Sequence, residues 1–333
     1  MKSSKTERRF CPMITYQDVQ AARERIAPYI VRTPLLRVPA LDEALGCQVY
    51  LKHEGFQPMG AFKLRGAMNK ALSLTPEERA RGLVCASSGN HAQGVAYAAH
   101  KLGCRAVIVM PTNANPVKLA GVKKWGGQVE LVGTLSSQRE ARAAELVREQ
   151  GMVEVHPYAD PYVAAGQGTL ALEILEDLPD ASLVAAPIGG GGLISGVATA
   201  AKGVNPQVRT VGVEPAGAPR YTRSRAEGRP VQLDSVNTIA DGTRTDHANP
   251  DNFAMIQERV DELYTVEDAW IEKAMLLLMT QAKVIAEPSS ALPVAAALSG
   301  ALPVKPEDKA VFVLSGGNAD PALLARLLTQ AAE

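Results

Sequence analysis

The sequence predicts an α/β fold with a mostly parallel sheet flanked by helices. From residue 82 onward, short β-rich runs alternate with longer segments of helical pattern. The runs are mostly apolar and do not alternate with polar residues, which is typical of strands buried on both faces. They read GLVCAS, RAVIVM, QVELV, VEVH, SLVAAP, RTVGVE and KAVFVLS.

Length and charge narrow the class of protein. A chain of 333 residues exceeds one ordinary domain, so we expect two lobes with a cleft between them. Lys plus Arg equals Asp plus Glu at 35 each, which argues against nucleic-acid or anionic-membrane binding and favours a small-molecule partner. The longest apolar run, 182–201, contains four successive glycines and would make a poor membrane-spanning helix.

The elements before residue 82 are predicted from local signals. Residues 1–12 carry charge without the apolar region of a signal peptide, so we expect a loose tail and no export. Thr15 as N-cap, with Asp18 three residues later, predicts an opening helix that extends to Pro28. Far along the chain, the Pro-rich stretch 214–253 is predicted to be the least regular part.

The cysteines indicate a reducing compartment. Cys11, Cys47, Cys85 and Cys104 form no C-x-x-C pair and are too few to staple a chain of this size. We interpret them as structural or incidental thiols and expect a cytoplasmic protein.

Three predicted strands end in glycines and small polar residues, at 85–94, 186–196 and 313–318. The carboxyl ends of strands line the ligand crevice of an open α/β sheet, so these loops are expected to converge. In the second loop, Gly189 to Gly192 precede a helical segment and would form a phosphate cradle. Two alternatives are a simple tight turn and a dinucleotide site, for which Glu214, 22 residues after Gly192, has suitable spacing.

The stretch GAFKLRG, 60–66, favours another cofactor. Lys63 follows Phe62, which would desolvate its amine and stack on a ring. A desolvated lysine forms Schiff bases with aldehydes and then acts as a base, although most lysines are only surface charges. Together with a phosphate cradle, this lysine predicts pyridoxal phosphate.

The motifs GAFKLRGA, SSGNHAQG, GGGGLISG, GVEP, IADG, AEPSSAL and LSGGN resemble, in order and spacing, the serine/threonine dehydratase and serine racemase family. The resemblance runs from about residue 30 to 320 and implies the tryptophan synthase β-like fold, fold type II. That fold has two open, twisted, mostly parallel sheets flanked by helices, with the cofactor in the interdomain cleft. It implies a large domain, 13–75 plus 155–333, and a small domain, 76–154.

The resemblance also assigns cofactor-binding residues. Lys63 would be the Schiff-base lysine, and Phe62 would pack on the cofactor ring. Asn90 would hydrogen-bond the 3-hydroxyl, and Gly189, Gly190, Gly191 and Gly192 would hold the phosphate. Ser315 would face the pyridine nitrogen, which favours elimination over transamination because a hydroxyl need not keep that nitrogen protonated.

Substrate-binding residues follow from the loop SSGNH. Ser87, Ser88, Asn90 and His91 would bind the α-carboxylate at a helix N-terminus, although His91 is equally well interpreted as a structural hydrogen bonder. Ser88 acts on the face of Cα opposite the lysine in racemising members, and dehydratases carry it too. Glu287 resembles an acid near the cofactor or, alternatively, a helix-capping carboxylate.

The resemblance implies pyridoxal-phosphate-dependent elimination of water from L-threonine or L-serine, which gives a 2-oxo acid and ammonia. It also implies a homodimer or homotetramer. Serine racemase, a β-replacement synthase and a degenerate ligand-binding module are alternatives. Arg139 aligns with an arginine that could pair with a second carboxylate, which would favour 3-hydroxyaspartate. Its other interpretation is a residue on a solvated helix face.

The chain departs from the family pattern in four places. Met59 and Ala61 replace hydroxyl residues, and Tyr158 stands where Phe or Asn is usual and would stack similarly. Only 15 residues follow Asn318, so we expect no regulatory domain.

The fourth departure concerns a divalent cation. Relatives bind one through a glutamate, a carbonyl and an aspartate, whose positions here are Glu214, Ala218 and Arg220. An arginine adds charge of the wrong sign, so the sequence predicts a weak or empty metal site whose positive charge Arg220 supplies. Asp234 or Asp241 could still contribute a ligand from the irregular stretch.

Overall fold

The computed structural model describes residues 13–330 of the chain. The predicted tail, 1–12, with Cys11, lies outside the described residues. The described strands are β1 Leu35–Arg37, β2 Gln48–His53, β3 Leu83–Ala86, β4 Ala106–Met110, β5 Gln128–Leu131, β6 Val153–Glu154, β7 Leu183–Pro187, β8 Arg209–Pro215, β9 Glu262–Val266 and β10 Lys309–Leu314. The described α-helices are α1 Tyr16–Ile26, α2 Pro39–Leu45, α3 Lys63–Ser73, α4 Pro76–Arg81, α5 Asn90–Leu102, α6 Pro116–Lys124, α7 Ser136–Gln150, α8 Pro161–Asp177, α9 Gly192–Val204, α10 Arg220–Glu227, α11 Pro250–Arg259, α12 Asp268–Leu277, α13 Pro288–Leu298 and α14 Pro321–Gln330.

The strands form two sheets, which confirms the predicted fold class. The first sheet has the order β1-β2-β10-β7-β8-β9, and the second has the order β5-β4-β3-β6. All pairs are parallel except β1 with β2. The seven predicted strands are all present. Strands β1, β2 and β9 were not predicted.

Hydrophobic clusters cover both faces of each sheet, as expected for parallel strands. The helix α3 approaches α8 very closely: a Cβ built on Gly166 would lie 2.7 Å from the carbonyl oxygen of Arg65. Only glycine allows the two backbones to come this near. This contact fixes the start of α3, where Lys63 lies, against the core.

The opening helix α1 was predicted correctly. Thr15 accepts a hydrogen bond from the N–H of Asp18, and the Asp18 carboxylate accepts one from the N–H of Thr15. This reciprocal pair satisfies two N–H groups that have no partner within the helix.

The stretch 214–253 is more regular than predicted. It contains α10 and a bridge between Gln232 and His247, and α11 begins within it. The N-terminus of α10 is capped from outside the helix, because the Glu214 carboxylate accepts the N–H groups of Tyr221 and Thr222. Local capping signals therefore could not reveal this helix.

Within residues 13–330, no helix is both long enough and apolar enough to cross a membrane. The four strands of the second sheet all lie between residues 83 and 154.

Candidate active site

The three predicted loops follow β3, β7 and β10, and the loop after β10 meets the stretch before α3. The N–H of Phe62 donates to the carbonyl of Ser315 at 2.9 Å, and Ala61 bridges to Gly316. From the loop after β3, the Asn90 side chain contacts Asn318, with 2.8 Å between Asn318 Nδ2 and Asn90 Oδ1. The loops after β3 and β10 therefore converge at the carboxyl ends of their strands, as expected.

Lys63 is the first residue of α3, and its side chain lies inside the cleft. Its Nζ donates to the carbonyl oxygen of Pro157 at 2.7 Å and lies 5.1 Å from the centre of the Phe62 ring. Burial lowers the pKa of Lys63 to about 8, and the Glu287 carboxylate opposes this shift. About one fifth of this amine is therefore neutral near physiological pH.

Glu287 is buried, and its carboxylate is held by Asn90. The Asn90 Nδ2 donates to both carboxylate oxygens, at 2.7 and 3.0 Å. Burial raises the pKa of Glu287 to about 7, against the effect of the Asn90 hydrogen bond. Glu287 stands at the N-cap of α13 but makes no side-chain capping bond.

The glycine loop, Gly189–Gly192, joins β7 to α9 and has no room for side chains. Gly191 has a φ of +92°, and a Cβ on Gly190 would lie 2.1 Å from Cδ1 of Tyr158. A Cβ on Gly189 would lie 3.1 Å from the carbonyl oxygen of Gly242. Glycine is therefore required by both backbone geometry and close contact.

The carbonyl groups of this loop are turned into the protein. Arg220 donates to Ile188 O at 2.7 Å and to Gly189 O at 2.6 Å, and Tyr221 and Asn252 both donate to Gly190 O at 2.7 Å. Within residues 13–330, no group accepts a hydrogen bond from the N–H of Gly189, Gly190 or Gly191.

Unpaired N–H groups at a helix N-terminus bind phosphate readily. The loop also packs against Tyr158, and the carbonyl of the preceding Pro157 accepts from Lys63. These two features fit pyridoxal phosphate, and the buried Ser315, 3% exposed at the end of β10, completes the predicted set.

The predicted substrate residues lie at the N-terminus of α5. Ser87 and Ser88 are half-buried, and the Ser87 Oγ accepts the N–H of Gly89 at 3.4 Å. His91 is 2% exposed, and its Nε2 donates to the carbonyl of Val155 at 2.6 Å. Burial lowers the pKa of His91 to about 3, with the Lys63 charge adding to the effect, so the ring is neutral. Its Nδ1 has no partner among the described residues.

Arg139 lies in the first turn of α7, and its described contacts are local. The guanidinium donates to Thr134 O at 3.1 Å and to Ser136 Oγ at 2.9 Å. Its Nε is buried without a partner in the described part of the chain. The structure therefore brings Arg139 into contact with none of the other predicted site residues that it describes.

Residues near Glu214 form a charge pair rather than a cluster of acidic ligands. Arg220 and Glu214 are both fully buried, with 3.9 Å between Arg220 Nη1 and Glu214 Oε1. The same Nη1 donates to Ala218 O at 2.8 Å. Asp241 instead pairs with Lys118 at 2.5 Å. Across residues 13–330, no group of three or more His, Cys, Asp or Glu side chains is arranged to hold a metal.

Sequence reasoning missed His156. Burial lowers the pKa of His156 to about 4, and the Lys63 charge lowers it further. Its Nδ1 accepts the N–H groups of Tyr158 at 3.3 Å and Ala159 at 2.9 Å, so the ring shapes the turn that carries the Pro157 carbonyl. The only signal was its place in HPYADP, between β6 and the Asp160 cap of α8.

Comparison with known proteins gives a consistent result. A family model described as "Pyridoxal-phosphate dependent enzyme" matches residues 26–316. The chain is 42% identical to an L-threonine ammonia-lyase of Thermotoga maritima, over 96% of this chain and 79% of that protein. It is 40% identical to an L-threo-3-hydroxyaspartate ammonia-lyase of Saccharomyces cerevisiae, over 95% of this chain and 96% of that protein.

The fold is similar to that of maize serine racemase, with a TM-score of 0.92 and 38% identity, over 96% of this chain and 98% of that one. This fold is the tryptophan synthase β-like, fold type II architecture that the motifs imply. Family match, relatives, fold and site geometry agree, and the chain belongs to the pyridoxal-phosphate-dependent enzymes.

Proposed function

We propose that L-threonine and L-serine are the substrates of this chain, an ammonia-lyase that eliminates water from β-hydroxy amino acids with pyridoxal phosphate. The products would be a 2-oxo acid and ammonia. The observation that carries the proposal is the pairing of Lys63, whose pKa is lowered to about 8, with a glycine loop whose N–H groups face no acceptor in the described chain.

The cofactor, when bound, supplies an electron sink that acidifies the Cα–H bond of an amino acid. Lys63 would hold it covalently, with Phe62 against its ring. The N–H groups of Gly189 to Gly192 would donate to its phosphate, and Ser315 would lie at its pyridine nitrogen. Asn90, already bonded to Glu287, would reach its 3-hydroxyl.

Lys63 would then act as the base that removes the Cα proton. A neutral amine is required, and burial provides it near pH 8. The neutral His91 and His156 rings beside it add no positive charge that would lower its basicity further. Glu287, with a pKa of about 7, can exchange a proton within the cleft at neutral pH.

The α-carboxylate of the substrate would bind at the N-terminus of α5. Ser87, Ser88 and Gly89 precede the first residue of this helix, where N–H groups and the helix dipole favour an anion. Bound there, the amino acid would have its Cα within the cleft that holds Lys63.

A substrate panel tests the proposal. Purified, cofactor-loaded protein is given L-threonine, L-serine and 3-hydroxyaspartate, and the 2-oxo acid and ammonia are measured in parallel. We expect equal amounts of both products from threonine or serine. A protein that releases neither product from any of the three would refute the elimination.

A second candidate substrate is 3-hydroxyaspartate, and the unpartnered Nε of Arg139 favours it. If Arg139 turns into the cleft, it would pair with the second carboxylate. Arg139→Ala should then reduce kcat/KM for 3-hydroxyaspartate and leave that for threonine unchanged. Arg142→Ala is the matched control, because Arg142 lies one turn later on α7 and pairs with Glu130.

Racemisation of serine is a further candidate, since Ser88 is half-buried at the cleft. Chiral analysis of recovered serine tests it: D-serine that disappears in Ser88→Ala, while pyruvate formation persists, would establish the activity.

We also propose that Arg220 supplies the positive charge that a divalent cation supplies in relatives. Its contacts to the Ala218 and Gly189 carbonyls and its approach to Glu214 support this. Activity and melting temperature should be the same in chelator and in millimolar magnesium. A loss in chelator that magnesium restores would contradict the proposal.

We also propose the assembly, the domains and the location of the protein. The exposed apolar side chains Val31, Phe56 and Ile285 lie around Gly55 and Gln57 and are consistent with a homodimer or homotetramer, which sedimentation can test. The second sheet supports a small domain at 76–154. The free thiols Cys47 and Cys85, both buried, are consistent with the cytoplasm.

A further inference from the structure

The glycine loop is held by its carbonyl groups. A trans peptide unit is planar, so the C=O of one residue and the N–H of the next point in opposite directions. The carbonyls of Ile188, Gly189 and Gly190 all accept hydrogen bonds from buried side chains. The N–H groups of Gly189, Gly190 and Gly191 therefore point the other way, and none of the three meets an acceptor in the described part of the chain.

Arg220 holds the first two of these carbonyls. Its Nη2 donates to Ile188 O at 2.7 Å and to Gly189 O at 2.6 Å, and its Nε donates to Gly189 O at 3.1 Å. The side chain is fully buried, so water does not compete for these contacts. A guanidinium polarises the peptide units that it contacts, which makes their N–H groups stronger donors.

Two uncharged donors hold the third carbonyl. The hydroxyl of Tyr221 and Nδ2 of Asn252 each donate to Gly190 O at 2.7 Å, which uses both lone pairs of this oxygen. Tyr221 is fully buried, and Asn252 is 2% exposed. The Tyr221 hydroxyl also accepts the N–H of Asn249 at 3.1 Å, so α10 is joined to the N-cap of α11 beside the loop.

Glycine residues alone would leave this loop adaptable. Without Cβ atoms they exchange readily between backbone conformations, and fixing them costs more conformational entropy than fixing other residues. The three buried side chains oppose this freedom before any ligand is bound. They are anchored in turn, because the Glu214 carboxylate accepts the N–H of Tyr221 at 3.0 Å and lies 3.9 Å from Nη1 of Arg220.

We propose that Arg220, Tyr221 and Asn252 are positioning residues for the cofactor phosphate: they turn three successive N–H groups of the glycine loop toward the place where the phosphate binds. This inference rests on the proposed function, in its assignment of the phosphate to the glycine loop, and not on the choice of substrate. Donors that already point at the anion need no rearrangement when it binds, so less binding energy is lost in ordering the loop. Buried side chains behind the loop therefore contribute to the cofactor affinity through the backbone.

The first test compares two aldehydes that differ in the phosphate group. Pyridoxal phosphate and pyridoxal are each titrated into cofactor-free protein, and the visible absorption of the lysine-bound aldehyde gives both dissociation constants. Tyr221→Phe removes one donor to Gly190 O. The constant for pyridoxal divided by that for pyridoxal phosphate should therefore fall by about 3- to 10-fold, with the affinity for pyridoxal unchanged. Tyr264→Phe is the matched control, because its hydroxyl donates within β9, to Glu262.

The outcomes of this titration separate two hypotheses. A ratio that stays at the wild-type value in Tyr221→Phe would overturn the positioning role, whether or not both aldehydes bind less tightly. Equal affinity of the wild type for the two aldehydes would instead refute phosphate binding by the glycine loop. Neither outcome depends on turnover, so the proposed elimination is tested separately by the substrate panel.

The second test concerns the shape of the guanidinium. Arg220→Lys keeps a positive charge beside Glu214, but an ammonium group lacks the planar fork that contacts two carbonyls at once, so the ratio should again fall. Arg225→Lys is the control, since Arg225 lies on the same helix and donates to the carbonyls of Ile256 and Val260. Equal ratios in the two variants would contradict the role of Arg220.

A third readout needs no aldehyde. Cofactor-free protein labelled with ¹⁵N-glycine is titrated with inorganic phosphate, and the amide proton signals of Gly189, Gly190 and Gly191 should move downfield. Asn252→Leu removes the second donor to Gly190 O, which belongs to the same peptide unit as the N–H of Gly191. The Gly191 signal should therefore move less in this variant at the same phosphate concentration. Signals that do not move in the wild type, or an identical Gly191 shift in Asn252→Leu, would contradict the inference.

Discussion

Two sets of buried charges lie within one turn of each other at the start of α3, and they are built in opposite ways. The ion network consists of Lys52, Glu54, Arg65 and Glu173, all buried. The cleft pair consists of Lys63 and Glu287. In the network the charges meet each other, whereas in the cleft pair each charge meets an uncharged group.

Arg65 is the centre of the ion network. It donates to both oxygens of Glu54 at 2.8 Å and to those of Glu173 at 2.6 and 2.9 Å, and Lys52 Nζ donates to Glu173 at 2.6 Å. Burial alone would raise the pKa of Glu54, but Arg65 outweighs it and the pKa lies below its ordinary value. Arg65, whose pKa is raised, and Glu54 therefore stay ionised as a buried pair.

In the cleft pair, burial has the largest effect on the pKa values. Lys63 donates to the Pro157 carbonyl and Glu287 accepts from the Asn90 amide, and neither contact supplies an opposite charge. The pKa values move towards neutrality, to about 8 and about 7. An opposite charge in direct contact keeps the pKa of Glu54 low, whereas burial without such a contact displaces the pKa values of Lys63 and Glu287.

The largest expected effect tests this contrast at Lys63. Lys63→Met keeps the length of the side chain and removes the amine, so activity should fall to background and the visible absorption of lysine-bound cofactor should disappear. Stability of the cofactor-free protein should change by no more than about 1 kcal/mol, since a partly neutral, unpaired amine is lost. Retention of both absorption and turnover would show that Lys63 does not hold the cofactor.

The same substitution two residues later should act on stability instead. Arg65→Met leaves Glu54 buried without its charged partner and Glu173 with Lys52 alone, so the free energy of unfolding should fall by about 3–5 kcal/mol. Urea unfolding of cofactor-free Arg65→Met and Lys63→Met measures the difference. Equal midpoints for the two variants would break the comparison.

The sequence predicted the parts of the fold that depend on neighbouring residues. The capping pair of Thr15 and Asp18 and the apolar strands from residue 82 onward were correct. Strand β2, QVYLKH, was missed because its Lys52 and His53 look exposed and are buried by distant partners. The helix α10 was missed because its cap, Glu214, precedes it by six residues.

In the candidate site, too, the sequence indicated residues that lie in short motifs but not contacts between distant residues. Lys63 and the glycine loop were singled out because each lies in a short motif with an evident chemical use. His156 and the contact of Tyr158 with His247 were not found, since residues 158 and 247 meet only in the folded chain. The sequence showed an arginine at 220, where the resemblance implies an aspartate, but it did not show the carbonyl contacts of this arginine.

A smaller effect concerns the pH dependence of stability. The pKa of Glu287 is about 7 in the folded protein and has an ordinary value of 4.5, so between these values the folded state binds more protons. Its stabilising contribution is full below pH 4.5 and is lost as the pH rises to 7, by up to about 3 kcal/mol at 1.4 kcal/mol per pKa unit. Glu54, whose pKa is lowered, changes stability with pH in the opposite direction. Wild type and Glu287→Gln both contain Glu54, so its effect cancels in their difference.

The measurement is therefore a difference between two proteins. Urea unfolding of wild type and Glu287→Gln from pH 4.5 to 7 isolates the Glu287 contribution, because the amide keeps an acceptor for Asn90 and cannot titrate. The stability of Glu287→Gln should rise relative to wild type across this range. Parallel curves would mean that the folded protein does not hold Glu287 protonated.

The smallest expected effect links the two members of the cleft pair. Only the neutral amine of Lys63 reacts with the cofactor aldehyde, so the rate of covalent attachment to cofactor-free protein should rise with pH and level off above about pH 8. At that pH, Glu287 is mostly ionised and stabilises the charged amine. Removing the carboxylate in Glu287→Gln should move the midpoint of this pH profile to a lower value. Because burial is the larger cause of the Lys63 pKa shift, the change in midpoint should be smaller than the shift that burial itself produces.

Glu140→Gln, which changes an exposed residue of α7, serves as the control and should leave the midpoint in place. A midpoint that stays fixed or rises in Glu287→Gln would show that the two groups do not sense each other, and the cleft pair would then be two independent buried groups.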